Sequence, residues 1–146
     1  MRRYPQSFCP LQATTLAATA DMRLLLDTHV LLWSLQDPAR LNKKTRTLIE
    51  RSEVLVSAAS LWEISIKAAI GKLKVQPQNV LDAIEPSGFD WLPVQPTHAI
   101  EVFSLGQQHG DPFDRLLVAQ ARSERLTLLT FDETLQAYGQ CVQLLA

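Results

Sequence analysis

From Met22 onward, short apolar runs alternate with longer stretches of helical period. Residues 23–27, 54–57, 89–94, 126–130 and 141–145 read as strands. Between them the spacing predicts helices over 28–35, 42–52, 58–70, 78–85, 97–108 and 112–124, with a short one near 133–138. Pro38, Gly71, Pro86-Ser87-Gly88 and His109-Gly110 fall at the boundaries, where residues that break regular structure belong. Strand and helix in alternation imply parallel β-α-β construction, and so an α/β three-layer sandwich around a central, mostly parallel five-stranded sheet. No internal repeat is evident.

The first 21 residues follow a different pattern. Arg2 and Arg3 precede Pro5, Pro10 and a Thr/Ala-rich stretch with no helical or strand period. Ala18-Thr19-Ala20 has the form of an export cleavage site, but Gln12, Thr14 and Thr15 interrupt the apolar segment that export requires. The expectation is a disordered extension over 1–21, with Met22 a sensible natural start and residues 22–146 forming the domain.

Polar residues stand out against this background. Residues 58–70 are apolar on nearly every side, which predicts a mostly buried helix; Ser60, Glu63 and Lys67 form its one narrow polar stripe. Glu63 therefore faces a cleft rather than open water, with Lys67 placed to orient it or to touch a phosphate; the plainer reading is an i,i+4 surface pair. Asp27 closes the first strand and Asp132 lies two residues past the fourth, so both belong at the carboxyl edge of the sheet, where open parallel sheets bind ligands. Asp114 opens the helix over 112–124; Asp111 suits its N-cap and Pro112 its first position. Asp27, Asp114 and Asp132 could each serve the next helix as a capping residue without excluding a second role. Thr28 and Thr130 flank the acids and can hold them by hydrogen bonds.

Four carboxylates at one edge repel. At about 6 Å and an effective dielectric near 20, each pair costs roughly 3 kcal/mol, on the order of 15 kcal/mol for the set. Such a cluster protonates or binds a cation, and an oxygen-only donor set suits Mg²⁺ or Mn²⁺ better than Zn²⁺. That chemistry points to phosphodiester cleavage.

Composition narrows the class. With 146 residues, 47% hydrophobic, and no apolar run of spanning length, the chain reads as one soluble domain. Cys9 and Cys141 form neither a disulfide framework nor a zinc motif, which fits a reducing cytoplasm. A formal charge of -1 gives no global basic signature, so nucleic-acid affinity must come from local clusters. These are Arg40, Lys43, Lys44, Arg46 and Arg51; Lys67, Lys72 and Lys74; and Arg115, Arg122 and Arg125, each equally readable as a solvated helix face. His29, His98 and His109 share no metal-ligand spacing, although His29 and His109 lie near Asp27 and Asp114. No nucleophile elbow, P-loop or dinucleotide fingerprint occurs.

Taken in order, Leu24-Leu25-Leu26-Asp27-Thr28-His29, Trp62-Glu63-Ile64-Ser65-Ile66-Lys67, Asp111-Pro112-Phe113-Asp114-Arg115-Leu116-Leu117 and Leu129-Thr130-Phe131-Asp132 closely resemble a PIN domain. The Asp-Pro-Phe-Asp-Arg form is similar to the VapC-type toxins of bacterial toxin-antitoxin pairs. The resemblance spans 22–146 and implies a Mg²⁺- or Mn²⁺-dependent endoribonuclease, usually a homodimer, silenced by a cognate antitoxin that inserts a segment near the active site. It assigns metal binding to Asp27, Glu63, Asp114 and Asp132, with Thr130 as polar support; Thr28, Lys67 and Arg115 complete the supporting or substrate-contacting set. The implied products carry a 5′-phosphate and a 3′-hydroxyl. Two other classes remain open: a non-catalytic module binding RNA or a protein, and a phosphoacceptor domain built on Asp27, against which the lack of paired acids after the first strand argues.

Overall fold

The computed structural model describes residues 22–106 and 110–146. β1 (Arg23–Leu26) leads through Asp27 into α1 (Thr28–Gln36), and a 3-10 turn over Pro38–Arg40 precedes α2 (Lys43–Arg51). Asn42 caps α2, its side chain accepting from the Thr45 N–H at 2.8 Å. β2 (Glu53–Ser57) runs directly into α3 (Ala58–Ala69), and α4 (Pro77–Ile84) precedes β3 (Asp90–Leu92). α5 (Pro96–Glu101) continues as a 3-10 turn over Val102–Leu105; then come α6 (Pro112–Glu124), β4 (Thr127–Thr130), a 3-10 helix over Glu133–Tyr138 and β5 (Val142–Leu144).

Among the described residues the strands form one five-stranded sheet, ordered β3-β2-β1-β4-β5, with every neighbouring pair parallel. The chain builds outward from β1 to β3, then crosses to the other side of β1 to lay down β4. That reversal puts a switch point between β1 and β4, the place where an open α/β sheet leaves a crevice at its carboxyl edge.

Strand period 2 sends alternate side chains to opposite faces. Leu24, Leu26, Val54 and Val56 meet Val30, Leu31, Ile64, Val80 and Ile84 from α1, α3 and α4. Leu25, Leu55 and Leu128 meet Leu117, Val118 and Ala121 of α6, together with Leu105, Leu135 and Tyr138. Each fully buried Leu contributes about 1.5–3 kcal/mol by leaving water, so helices cover both faces of the sheet.

Two sequence expectations change. The helix expected over 97–108 stops being α-helical at Glu101; its 3-10 continuation ends at Gly106, whose φ of 76° no helical turn accepts. The last part of that range lies outside the described residues, as do His109, Cys9 and the extension over 1–21. α3 is also less buried than its apolar composition suggests: Glu63 is enclosed, whereas Trp62, Ile66 and Ile70 are exposed.

Candidate active site

The site starts at the end of β1. The Asp27 N–H still bonds the Leu129 carbonyl of β4 at 3.0 Å, so this residue is pinned to the sheet before α1 begins. Its Oδ1 accepts from the Thr28 N–H at 2.6 Å, capping α1, and its Oδ2 accepts from Thr130 Oγ1 at 2.6 Å. Asp27 is only 6% exposed, and burial pushes its carboxyl above the usual range against the opposing pull of those two hydrogen bonds.

Glu63 enters from α3. Its Oε1 accepts from Thr28 Oγ1 at 2.7 Å and its Oε2 from Lys67 Nζ at 2.6 Å, while Thr28 Oγ1 shares a 3.2 Å bond with the buried Ser60 Oγ. The polar stripe of α3 thus serves both purposes that its spacing allowed: the acid faces inward, and the i,i+4 pair forms at its rim. The Lys67 ammonium has its pKa raised, first by the bond to Glu63, and also by the charges of Asp111 and Asp114.

Asp132 comes from the turn after β4. Thr130 Oγ1 accepts its N–H at 3.0 Å, so one wholly buried hydroxyl ties Asp132 to Asp27. Asp132 Oδ1 in turn caps the following 3-10 helix through the N–H and hydroxyl of Thr134. Phe131 packs on Trp33 with ring centroids 4.9 Å apart, and the Arg40 guanidinium lies 4.3 Å above the Trp33 ring, anchoring this turn to α1.

Asp114 approaches from α6, on the other face of the sheet. Asp111 caps that helix, accepting from the N–H groups of Phe113 at 2.8 Å and Asp114 at 3.3 Å, with Pro112 at the first position. Burial, reinforced by the charges of Asp27, Asp111, Glu63 and Asp132, pushes the Asp114 carboxyl up to about 7. The four acids therefore feel one another across four separate elements. Among the described residues, however, no three His, Cys, Asp or Glu side chains stand close enough to hold a metal ion as arranged. Asp27 and Glu63 direct their oxygens into hydrogen bonds with Thr28, Thr130 and Lys67 instead.

The remaining candidates divide. Arg115 reaches the Val102 carbonyl at 3.2 Å and the Tyr138 hydroxyl at 3.4 Å, linking α6 to two 3-10 segments. His29 is exposed beside Asp27. His98 is enclosed: Nδ1 accepts the Gln95 N–H at 2.9 Å and Nε2 pairs with Glu124 at 2.7 Å, a structural histidine. A cleft of about 770 Å³ lined by Asn42, Lys43, Lys44, Arg51 and Leu145 includes none of the four acids. Ser60 and Asp111 also support the site; in the sequence they are marked only as a stripe member and a cap, and their spacing to Glu63 and Asp114 is the available signal.

The PIN domain family model matches residues 24–140. The chain is a PIN-domain protein. The match covers all four acid-bearing segments of this PIN domain. Its fold is shared with a chain of VapBC2 from Rickettsia felis, solved bound to a DNA fragment from its promoter: TM-score 0.67 and 19% identity, covering 86% of this chain and 100% of that one. DNA-bound VapBC from Salmonella typhimurium gives 0.61 and 17% over 84% and 97%. FitAcB from Neisseria gonorrhoeae gives 0.57 and 23% over 82% and 95%. No curated protein matches the chain.

Proposed function

We propose that this PIN domain is a Mg²⁺- or Mn²⁺-dependent endoribonuclease and the toxin of a toxin-antitoxin pair, acting as a homodimer and held inactive by a cognate antitoxin. The observation that carries the reading is the junction at the switch point. Two buried threonines link Asp27, Glu63 and Asp132, Thr28 through its backbone N–H and hydroxyl and Thr130 through its hydroxyl, and Asp114 faces them electrostatically from the opposite helix layer. Structures sharing the fold include VapBC and FitAB and a toxin-antitoxin complex from Klebsiella pneumoniae, which supports the antitoxin partner.

The donor set fits a hard divalent cation, since every candidate ligand is a carboxylate oxygen. The Asp114 carboxyl is raised first by burial and then by the charges of Asp27, Asp111, Glu63 and Asp132, and a cation would offset both. When bound, such an ion supplies Lewis acidity and lowers the pKa of water. Asp27, Glu63, Asp114 and Asp132 would hold it. Thr130 and Thr28 keep the first two acids in fixed rotamers, and Lys67 offers an ammonium at the rim to neutralise phosphate. The reaction consumes one water: its oxygen bonds to phosphorus, the bond from phosphorus to the 3′-oxygen breaks, and that oxygen takes a proton. The products are a 5′-phosphate and a 3′-hydroxyl.

The purified chain should cleave RNA with Mg²⁺ or Mn²⁺, lose activity in EDTA, and leave no 2′,3′-cyclic phosphate. Asp27→Asn should lower cleavage by about 100-fold or more. Undiminished cleavage in EDTA or by this variant would overturn the assignment. A second reading has specific support: Asp27 and Asp132 already serve as helix caps, as they would in a non-catalytic RNA- or protein-binding module. Metal-dependent turnover by the isolated protein separates the two.

A further inference from the structure

Two aromatic rings stand beside the acids. Trp62 immediately precedes Glu63 on α3 and Phe113 immediately precedes Asp114 on α6. The rings meet edge to face, with centroids 5.2 Å apart and planes at 73°. Trp62 is 60% exposed and belongs to neither half of the core, although indole is among the most rewarding side chains to bury. The 100° step of the helix explains the pairing: Glu63 turns into the cleft while its neighbour turns out to the rim. An edge contact covers at most one face of a ring, so π-surface stays open next to the acids. Lys67 follows just over one turn later, and the exposed Lys72 and Lys74 continue the positive charge past the end of α3.

We propose that Trp62, braced by Phe113, is a stacking platform for an unpaired nucleobase next to the scissile phosphate, with Lys67, Lys72 and Lys74 tracking the backbone. The site then takes single-stranded or looped RNA rather than duplex, because a base offers its face to an indole only when it is free of its own stack. This rests on the ribonuclease reading above. Ile66 and Ile70 extend the exposed stripe and would suit a protein partner. The aromatic pair, however, bridges the two elements that carry Glu63 and Asp114, and Lys67, Lys72 and Lys74 follow Trp62 along the chain, which favours a polyanion.

The test is steady-state cleavage of a single-stranded RNA oligonucleotide by the full chain, beside the same oligonucleotide with abasic residues flanking the cut and a duplex of equal sequence. Trp62→Leu keeps apolar bulk and removes the π-face; Trp62→Phe keeps a face. The expected result is a KM for the single strand raised roughly tenfold or more by Trp62→Leu. Trp62→Phe should stay within a few-fold of wild type, and the Trp62→Leu penalty should vanish on the abasic substrate. Equal KM values for wild type and Trp62→Leu would overturn the platform while leaving the nuclease intact. The same holds if Trp62→Leu changes only the oligomeric state on gel filtration, which would assign the stripe to a protein contact. No cleavage of any RNA by wild type would overturn both readings.

Discussion

Thr130 Oγ1 donates to Asp27 and accepts from the Asp132 N–H, so one hydroxyl sets two acids that are 105 positions apart in sequence and adjacent in space. Asp114 carries the most strongly raised carboxyl of the site, first through burial and then through the neighbouring charges. Its folded pKa of about 7 stands above the ordinary 3.8, so the folded chain holds a proton there that the unfolded chain has released. The associated stability is complete below the ordinary value and is lost as pH rises through about 7. In EDTA, Asp114→Asn should therefore be more stable than wild type at pH 8, with the gap closing toward pH 5; urea denaturation at the two pH values measures it. A gap independent of pH would show that the folded chain does not raise the Asp114 carboxyl. Asp27, Asp114 and Asp132 were visible in the sequence because each abuts a strand or a helix start, and Glu63 because it interrupts an apolar helix with a narrow polar stripe. Which oxygen each hydroxyl engages was not, since that depends on two rotamers meeting across different elements.

α3 shows how far composition carries at the scale of an element. Its near-uniform apolarity suggested burial, but burial is set by which faces have neighbours, and the face bearing Trp62, Ile66 and Ile70 has little cover within the described chain. The helix itself was legible from its period. α6 was legible at its start from Asp111 and Pro112 and at its end only from where the period stops; the structure closes it with a Schellman turn in which the Leu126 N–H reaches the Ala121 carbonyl at 2.8 Å. The left-handed residue of that turn is Arg125, at φ 57°, a conformation that costs a side-chain-bearing residue about 1 kcal/mol. Arg125→Gly should raise stability by about 0.5–1 kcal/mol without changing cleavage, as measured by chemical denaturation. A loss would mean that the Arg125 side chain makes contacts outweighing the strain. The truncation of α5 was less legible, because a single Gly106 inside an apolar period can continue a helix or stop it.

For the whole molecule, the central fact is the switch point between β1 and β4, where helices from both faces of the sheet deliver acids to one edge. A cation bound there stabilises only the folded chain. Mg²⁺ or Mn²⁺ at 100 times its Kd should add about 2.7 kcal/mol, seen as a rise in Tm that Asp27→Asn abolishes. A chain starting at Met22 should show the same rise; a truncated protein that is insoluble or unresponsive would give residues 1–21 a role in the domain. No helix among the described residues is long and apolar enough to cross a membrane. The alternation of strands and helices, the parallel sheet and the choice of the four acids as candidates follow from sequence alone, because hydrophobic period and local capping chemistry act over a few residues. The sharing of Thr28 by Asp27 and Glu63, the near-neutral carboxyl of Asp114 and the exposed ring of Trp62 were decided by tertiary structure, because burial and charge coupling depend on distance in space between segments that the chain keeps apart.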